Sequence, residues 1–169
     1  MAIAMGGLIL ALSGCSSPWG CTDTTAERGE AGAKVEVEDI SGQPLGVTAE
    51  VVDWRLEPHP QVPAEGDRVH FHYLFDGADE RSGPRVDACA VDKDRVALGC
   101  QTVYSSEAWR EPDGALTGDD WLVVEHPEQV AGVLFIPNDR SYGRRTCEQD
   151  IKDGGGTHPP GPAGMGDQL

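Results

Sequence analysis

Residues 67–75 read DRVHFHYLF, and this stretch decides the fold class. Large apolar side chains occupy every second position: Val69, Phe71, Tyr73 and Phe75. Since successive side chains of a β-strand point to opposite faces, this period of two predicts a strand with one face turned to a core. The other face carries Arg68, His70 and His72 towards solvent. A register slip of one residue would bury both imidazoles, so we expect this register to be strongly specified.

Short apolar runs of the same kind lie on both sides of this strand, at residues 35–37, 47–56, 86–91, 96–104, 121–125 and 130–136. Gly, Pro and Asp separate these runs, and such turn-forming residues are typical of the connections between strands. The chain has 22 Gly and 12 Pro, whereas aromatic residues make up 6% of it. We therefore predict an all-β fold, an antiparallel β-sandwich of one domain.

Residues 1–14 are an uncharged apolar run. The last three residues of this run and the residue that follows it read Leu12-Ser13-Gly14-Cys15. The run is too short to span a bilayer and has the length of the hydrophobic region of a signal peptide. The four residues resemble the lipobox of bacterial lipoproteins. This resemblance implies that Cys15 is lipidated and becomes the first residue after cleavage, on the extracytoplasmic face of the cell membrane. The alternative is a buried N-terminal strand with an incidental cysteine.

Composition predicts the domain limits. Residues 15–34 are rich in Ser, Thr, Gly and Glu, so we expect a flexible lipidated tether. Residues 153–169 contain GGG and PPGP and are expected to be a disordered tail. The sandwich domain should therefore occupy residues 35–152.

Four cysteines remain if Cys15 carries lipid: Cys21, Cys89, Cys100 and Cys147. An even number in an exported chain predicts two disulfides, and four cysteines allow three connectivities.

Hairpin geometry favours one of these connectivities. If Val91 pairs with Leu98, then Cys89 stands opposite Cys100, and directly opposed side chains lie near disulfide range. The pair Cys21–Cys147 then follows by elimination.

Two stretches resemble bacterial immunoglobulin-like extracellular domains. Residues 86–92 and 98–105 read VDACAVD and LGCQTVYS, so that two half-cystines bracket a hairpin and a Tyr-Ser pair follows. Residues 132–137, GVLFIP, are similar to the closing strand of such domains on bacterial lipoproteins of unassigned function. The resemblance implies an immunoglobulin-like sandwich with an adhesive or scaffolding role and no catalysis.

Two histidines and one tryptophan are the candidate site residues. His70 and His72 share one face of a strand, as ligands of zinc or copper often do, and His59, His126 or an acidic residue would complete such a site. The alternative is two solvated imidazoles. Trp109 lies in a polar segment and is the candidate exposed anchor for a partner, unless it folds back over the core. Trp54 and Trp121 fall in strand runs and are expected in the core.

Charge and motifs limit the function. The formal net charge is −16, which excludes nucleic acid and anionic lipid headgroups as direct ligands. The chain has no G-x-S-x-G, H-E-x-x-H or S-x-x-K motif, so we expect neither an enzyme nor a cofactor. The leading hypothesis is a non-catalytic binding or scaffolding module whose partner is an envelope protein or a glycan. A metal-handling lipoprotein and a hydrolase with an unrecognised site are the alternatives.

The lipobox and the cysteine count predict an intact mass. The protein extracted from membranes should have the mass of residues 15–169 plus acyl groups, and reduction should add four protons because two disulfides open. Mass spectrometry before and after reduction measures both. An unacylated mass that begins at Met1, found in the soluble fraction, would overturn the lipoprotein hypothesis.

Overall fold

The structure is a computed structural model that describes residues 28–39, 42–78, 83–139 and 163–169. Within them the regular elements are eight strands and three 3₁₀ turns. The strands are β1 (Lys34–Glu38), β2 (Pro44–Pro58), β3 (Asp67–Asp76), β4 (Arg85–Val91), β5 (Ala97–Tyr104), β6 (Trp109–Arg110), β7 (Leu116–Leu122) and β8 (Gly132–Ile136). The turns are Pro63–Glu65, Ser105–Glu107 and Pro127–Gln129.

The strands form two antiparallel sheets, which confirms the predicted all-β sandwich. One sheet has the order β1-β2-β3-β7-β6 and the other the order β5-β4-β8. Backbone hydrogen bonds also connect the sheets along one side. Gly32 exchanges two of them with Phe135 of β8, at 3.0 and 2.8 Å. The sandwich is therefore closed where the chain enters β1.

The core lies between the two sheets, and β3 supplies its largest side chains. Val69, Phe71, Tyr73 and Phe75 are each at most 2% exposed, as the alternation predicts. Phe71 and Phe75 both contact Phe135 of the opposite sheet, with ring centroids 6.4 and 6.3 Å apart. Aromatic pairs of this kind contribute about 0.5–1.5 kcal/mol each beyond the burial of their area.

The disulfide Cys89–Cys100 is present, as predicted, and its Cα atoms are 4.1 Å apart. The supposed register of the hairpin is wrong at its turn, because Val91 pairs with Ala97 and not with Leu98. A bulge between Ala90 and Val91 restores the register, so that Cys89 still pairs with Cys100. In antibody domains the disulfide connects the two sheets, whereas here it joins neighbouring strands of one sheet. Cys15, Cys21 and Cys147 lie outside the described residues.

Residues 163–169 of the tail predicted to be disordered, 153–169, pack against the three-stranded sheet, whereas residues 153–162 lie outside the described residues. Ala97 donates to the Asp167 carbonyl and Gly166 donates to the Ala97 carbonyl, both at 2.8 Å. Ala163 and Leu169 cover a small apolar cluster on the outer face of that sheet, which includes Cys89. Composition missed this segment because it is held mainly by backbone hydrogen bonds, which any sequence can form.

The segment before β1 packs as well, although it falls within the predicted tether of 15–34, of which residues 15–27 lie outside the described residues. Ala31 is 6% exposed and belongs to the same cluster as Cys89. The Arg28 guanidinium lies 2.6 Å from the Asp167 carboxylate, so the two terminal segments are joined to each other. Because both cover the outer face of β4, every residue from Val86 to Val91 is buried.

Gly118 of β7 makes room for the ring of Tyr73, its direct partner in β3. A Cβ atom at residue 118 would lie 2.5 Å from Tyr73 Cζ. We predict that Gly118→Ala lowers the free energy of unfolding by about 1–3 kcal/mol, because the core must shift to relieve this overlap.

Chemical denaturation measures this change, and Gly132→Ala is the matched control. A Cβ atom at residue 132 would meet nothing closer than Val91 Cγ2 at 3.8 Å. Equal stability of the two variants would contradict the proposed role of Gly118.

The Asp167 carboxylate links the packing of the terminal segments to pH. The Gly164 N–H, and then the Arg28 guanidinium, hold the pKa of this carboxyl below its ordinary value of 3.8. A carboxyl group whose pKa is lowered by folding stabilises the folded form fully at pH values above its ordinary pKa. This stabilisation is lost as the pH falls through the pKa of the folded form. We predict that Asp167→Asn reduces amide protection at Ala97 and Gly166 at neutral pH, and removes the acid dependence. Hydrogen exchange measures this, with the remote Glu36→Gln as control. Unchanged protection would contradict the prediction.

Candidate functional site

The outer face of the five-stranded sheet brings the candidate residues together. We name six residues of this outer face the histidine–tryptophan face: Glu57, His70, His72, Trp109, Asp119 and Trp121. Strand register places them, since His70 pairs with Trp121 and His72 pairs with Asp119 across β3 and β7. Trp109 of β6 pairs with Thr117 of β7 and so shares this side of the sheet. The same period of two that builds the core therefore builds this surface.

His70 is covered rather than solvated, which corrects the expectation for this side chain. It is 7% exposed, because the Trp121 ring stacks on it with centroids 4.4 Å apart. Its Nε2 lies 3.3 Å from Asp119 Oδ1 and its Nδ1 lies 3.1 Å from Glu57 Oε1. Nδ1 is nevertheless buried without an aligned hydrogen bond in the described structure. Strand periodicity assigns a face but does not show which neighbour covers it.

His72 contacts the same carboxylate as His70. Its Nδ1 lies 3.1 Å from Asp119 Oδ1, and its Nε2 lies 2.9 Å from the Thr117 hydroxyl oxygen. Asp119 therefore stands between two imidazoles that come from alternate positions of β3. The sequence indicated that an acidic partner could exist, but the pairing of β3 with β7 identifies it.

Trp109 is 49% exposed, as expected for a surface anchor. Its indole N–H donates to Glu111 Oε1 at 3.2 Å, and its ring centroid lies 6.4 Å from that of His72. Trp121 was expected in the core, and this is wrong. Trp121 lies at an alternate position of β7 from Thr117 and Asp119, so its side chain lies on the same outer side of the sheet as theirs. His59 contacts it edge-on at 4.7 Å.

The four described histidines do not meet at one point. His70 and His72 both contact Asp119, whereas His59 contacts Trp121 and His126 pairs with Glu128 at 3.4 Å. Among the described residues, no group of three or more His, Cys, Asp or Glu side chains is arranged to hold a metal ion. A metal on this face would require at least one side chain to turn.

Thr117, His72 and Asp119 form a hydroxyl–imidazole–carboxylate chain, which is also the order of a catalytic nucleophile, base and orienting acid. The Thr117 hydroxyl, however, donates to the Tyr73 carbonyl at 2.9 Å, and the residue is 3% exposed. A nucleophile needs access to its substrate and a proton that the base can accept. The contacts of Thr117 therefore fit a strand-linking role better than catalysis.

Carboxylates on β7 and near it affect the pKa of Tyr73, a core residue of the neighbouring strand. Burial, together with the negative charges of Asp120, Glu107 and Asp119, raises the pKa of Tyr73 to about 12. At the other end of the face, the hydrogen bond from Arg55, at 2.8 Å, lowers the pKa of Glu57. The Arg55 guanidinium thus offsets the negative charge of Glu57.

Comparison with known proteins does not assign a family. No family model matches the chain, and neither curated proteins nor solved structures show significant similarity to it. The described residues include no helix of the length and apolar character needed to cross a membrane. The function is therefore argued from the chemistry of the histidine–tryptophan face.

Proposed function

We propose that this protein is a lipid-anchored, non-catalytic binding module of the bacterial cell envelope. It binds its partner through the histidine–tryptophan face. The lipobox at residues 12–15 supports the anchor, and the architecture of a small disulfide-braced sandwich suits an exported domain. The immunoglobulin-like character suggested by residues 86–105 and 132–137 belongs to the same proposal.

One observation carries the binding role, namely the side chains that an exposed sheet face presents. A solvated face ordinarily carries small polar and charged side chains, whereas this one carries Trp109, Trp121 and His72, with His70 stacked against Trp121. Trp109 leaves about half of its surface in water, at 49%. Tryptophan is favoured at the centres of binding sites because it buries a large area at little cost in side-chain entropy. Such a face is best explained by a partner that covers it.

The position of the face supports the same role. It lies on the sheet opposite to the one covered by residues 28–31 and 163–169, which occupy the outer face of β4 and its neighbours. These two described segments, residues 28–31 and 163–169, therefore leave the histidine–tryptophan face uncovered.

Zinc binding is the competing proposal, because Asp119 contacts both His70 and His72, and it requires at least one of these side chains to turn. Two ligands of a tetrahedral zinc, each about 2.0–2.1 Å from the ion, lie about 3.3 Å apart. Asp119 Oδ1 lies 3.1 Å from His72 Nδ1 and 3.3 Å from His70 Nε2. Calorimetric titration with zinc of wild type and Asp119→Asn tests it. Absence of zinc binding by the wild type would remove this alternative.

The binding role predicts that substitution at the face weakens association with envelope material. Purified protein should co-sediment with at least one of two preparations, cell-wall glycan or isolated envelope proteins. We expect Trp109→Ala to weaken the affinity by about thirtyfold, because a central tryptophan typically contributes about 2 kcal/mol.

Tyr104→Ala is the matched control, since Tyr104 is 38% exposed but lies on β5 of the other sheet. If no preparation binds the wild type, or if both variants bind as the wild type does, the proposed role of this face is wrong.

A further inference from the structure

We propose that Trp109 and the carboxylates around it bind an arginine-rich segment of a partner protein. This inference rests on the proposed binding function and names the chemistry of the partner.

The Trp109 ring is held in place before any partner arrives. Its indole N–H bonds to Glu111, and its centroid lies 6.4 Å from that of His72, so two contacts fix its orientation. The residue still remains 49% exposed. A ring that is fixed and half exposed loses little freedom on binding and offers an aromatic surface to a ligand.

Negative charge surrounds this ring. Residues 105–122 carry five carboxylates and one guanidinium, a net charge of −4 with no histidine in the segment. Glu107 and Asp119 are both exposed, and Asp113 lies in the turn that follows Glu111. The single cation, Arg110, is directed to the Gly114 carbonyl at 2.6 Å. The whole chain carries −16, so the long-range field also attracts a basic partner.

A guanidinium fits this arrangement better than an ammonium or a sugar. Its plane stacks on an indole ring, and its N–H groups donate to a carboxylate at the ring edge. Glu111 already lies at the edge of the Trp109 ring, with one carboxylate oxygen bonded to the indole. The ring and the carboxylate are thus placed for the two interactions that one arginine side chain makes at once. The protein itself contains a cation–π contact elsewhere, where the Arg85 guanidinium lies 5.9 Å from the Tyr104 ring centroid.

Calorimetry with an acetylated hexa-arginine amide tests the inference, with hexa-citrulline as the uncharged isostere. We expect the wild-type chain to bind hexa-arginine, to bind it at least tenfold more weakly when salt rises from about 0.05 to 0.5 M, and not to bind hexa-citrulline. Trp109→Leu should weaken binding about fivefold to tenfold through loss of the cation–π contact. Glu111→Gln should weaken it as well.

Two controls separate this site from general charge attraction. Tyr104→Leu removes an exposed aromatic ring that Arg85 already covers, and Glu36→Gln removes a carboxylate on the distant strand β1. Both should bind hexa-arginine as the wild type does. Equal weakening by Trp109→Leu and the controls, or binding of hexa-citrulline, overturns the inference. Binding of a cell-wall glycan through Trp109 without binding of hexa-arginine overturns it too, but leaves the proposed function intact.

Discussion

The inward side chains of β3 pack against Phe135 of the opposite sheet, and the rest of the structure depends on this contact. Phe71 and Phe75 both contact that ring, and Tyr73, which lies between them in the strand, is 2% exposed. Three aromatic side chains at alternate positions can all face a core in one register alone. A shift by one residue would place three rings in water and two imidazoles in the core, at a cost of several kcal/mol.

The same constraint creates the candidate site. Once β3 is fixed by its inner face, His70 and His72 must point outwards, and its pairing with β7 brings Asp119 to both of them. Core and site therefore share one strand register. The side chains that define the site can be substituted without disturbing the core, because adjacent positions of a strand point to opposite faces of the sheet.

The two outer faces of the sandwich differ in whether described chain segments cover them. Terminal segments cover the three-stranded sheet, where the Arg28–Asp167 ion pair joins the chain before β1 to the chain at residues 163–169. The disulfide between β4 and β5 lies beneath this cover, in the same cluster as Leu169. Among the described residues, no such segment covers the outer face of the five-stranded sheet, where Trp109 is 49% exposed. The binding proposal rests on this difference between the two outer faces.

The sequence by itself determined the fold class, the register of β3 and the pairing of Cys89 with Cys100. These follow from local rules, since the period of two assigns faces and a hairpin sets cross-strand neighbours within a few residues. The tertiary structure decided what covers each outward side chain. It placed Trp121 on His70 instead of in the core, brought Asp119 to both imidazoles, and laid residues 163–169 over the disulfide. Each of these contacts joins residues far apart in the chain, and no local periodicity encodes which distant segment meets which.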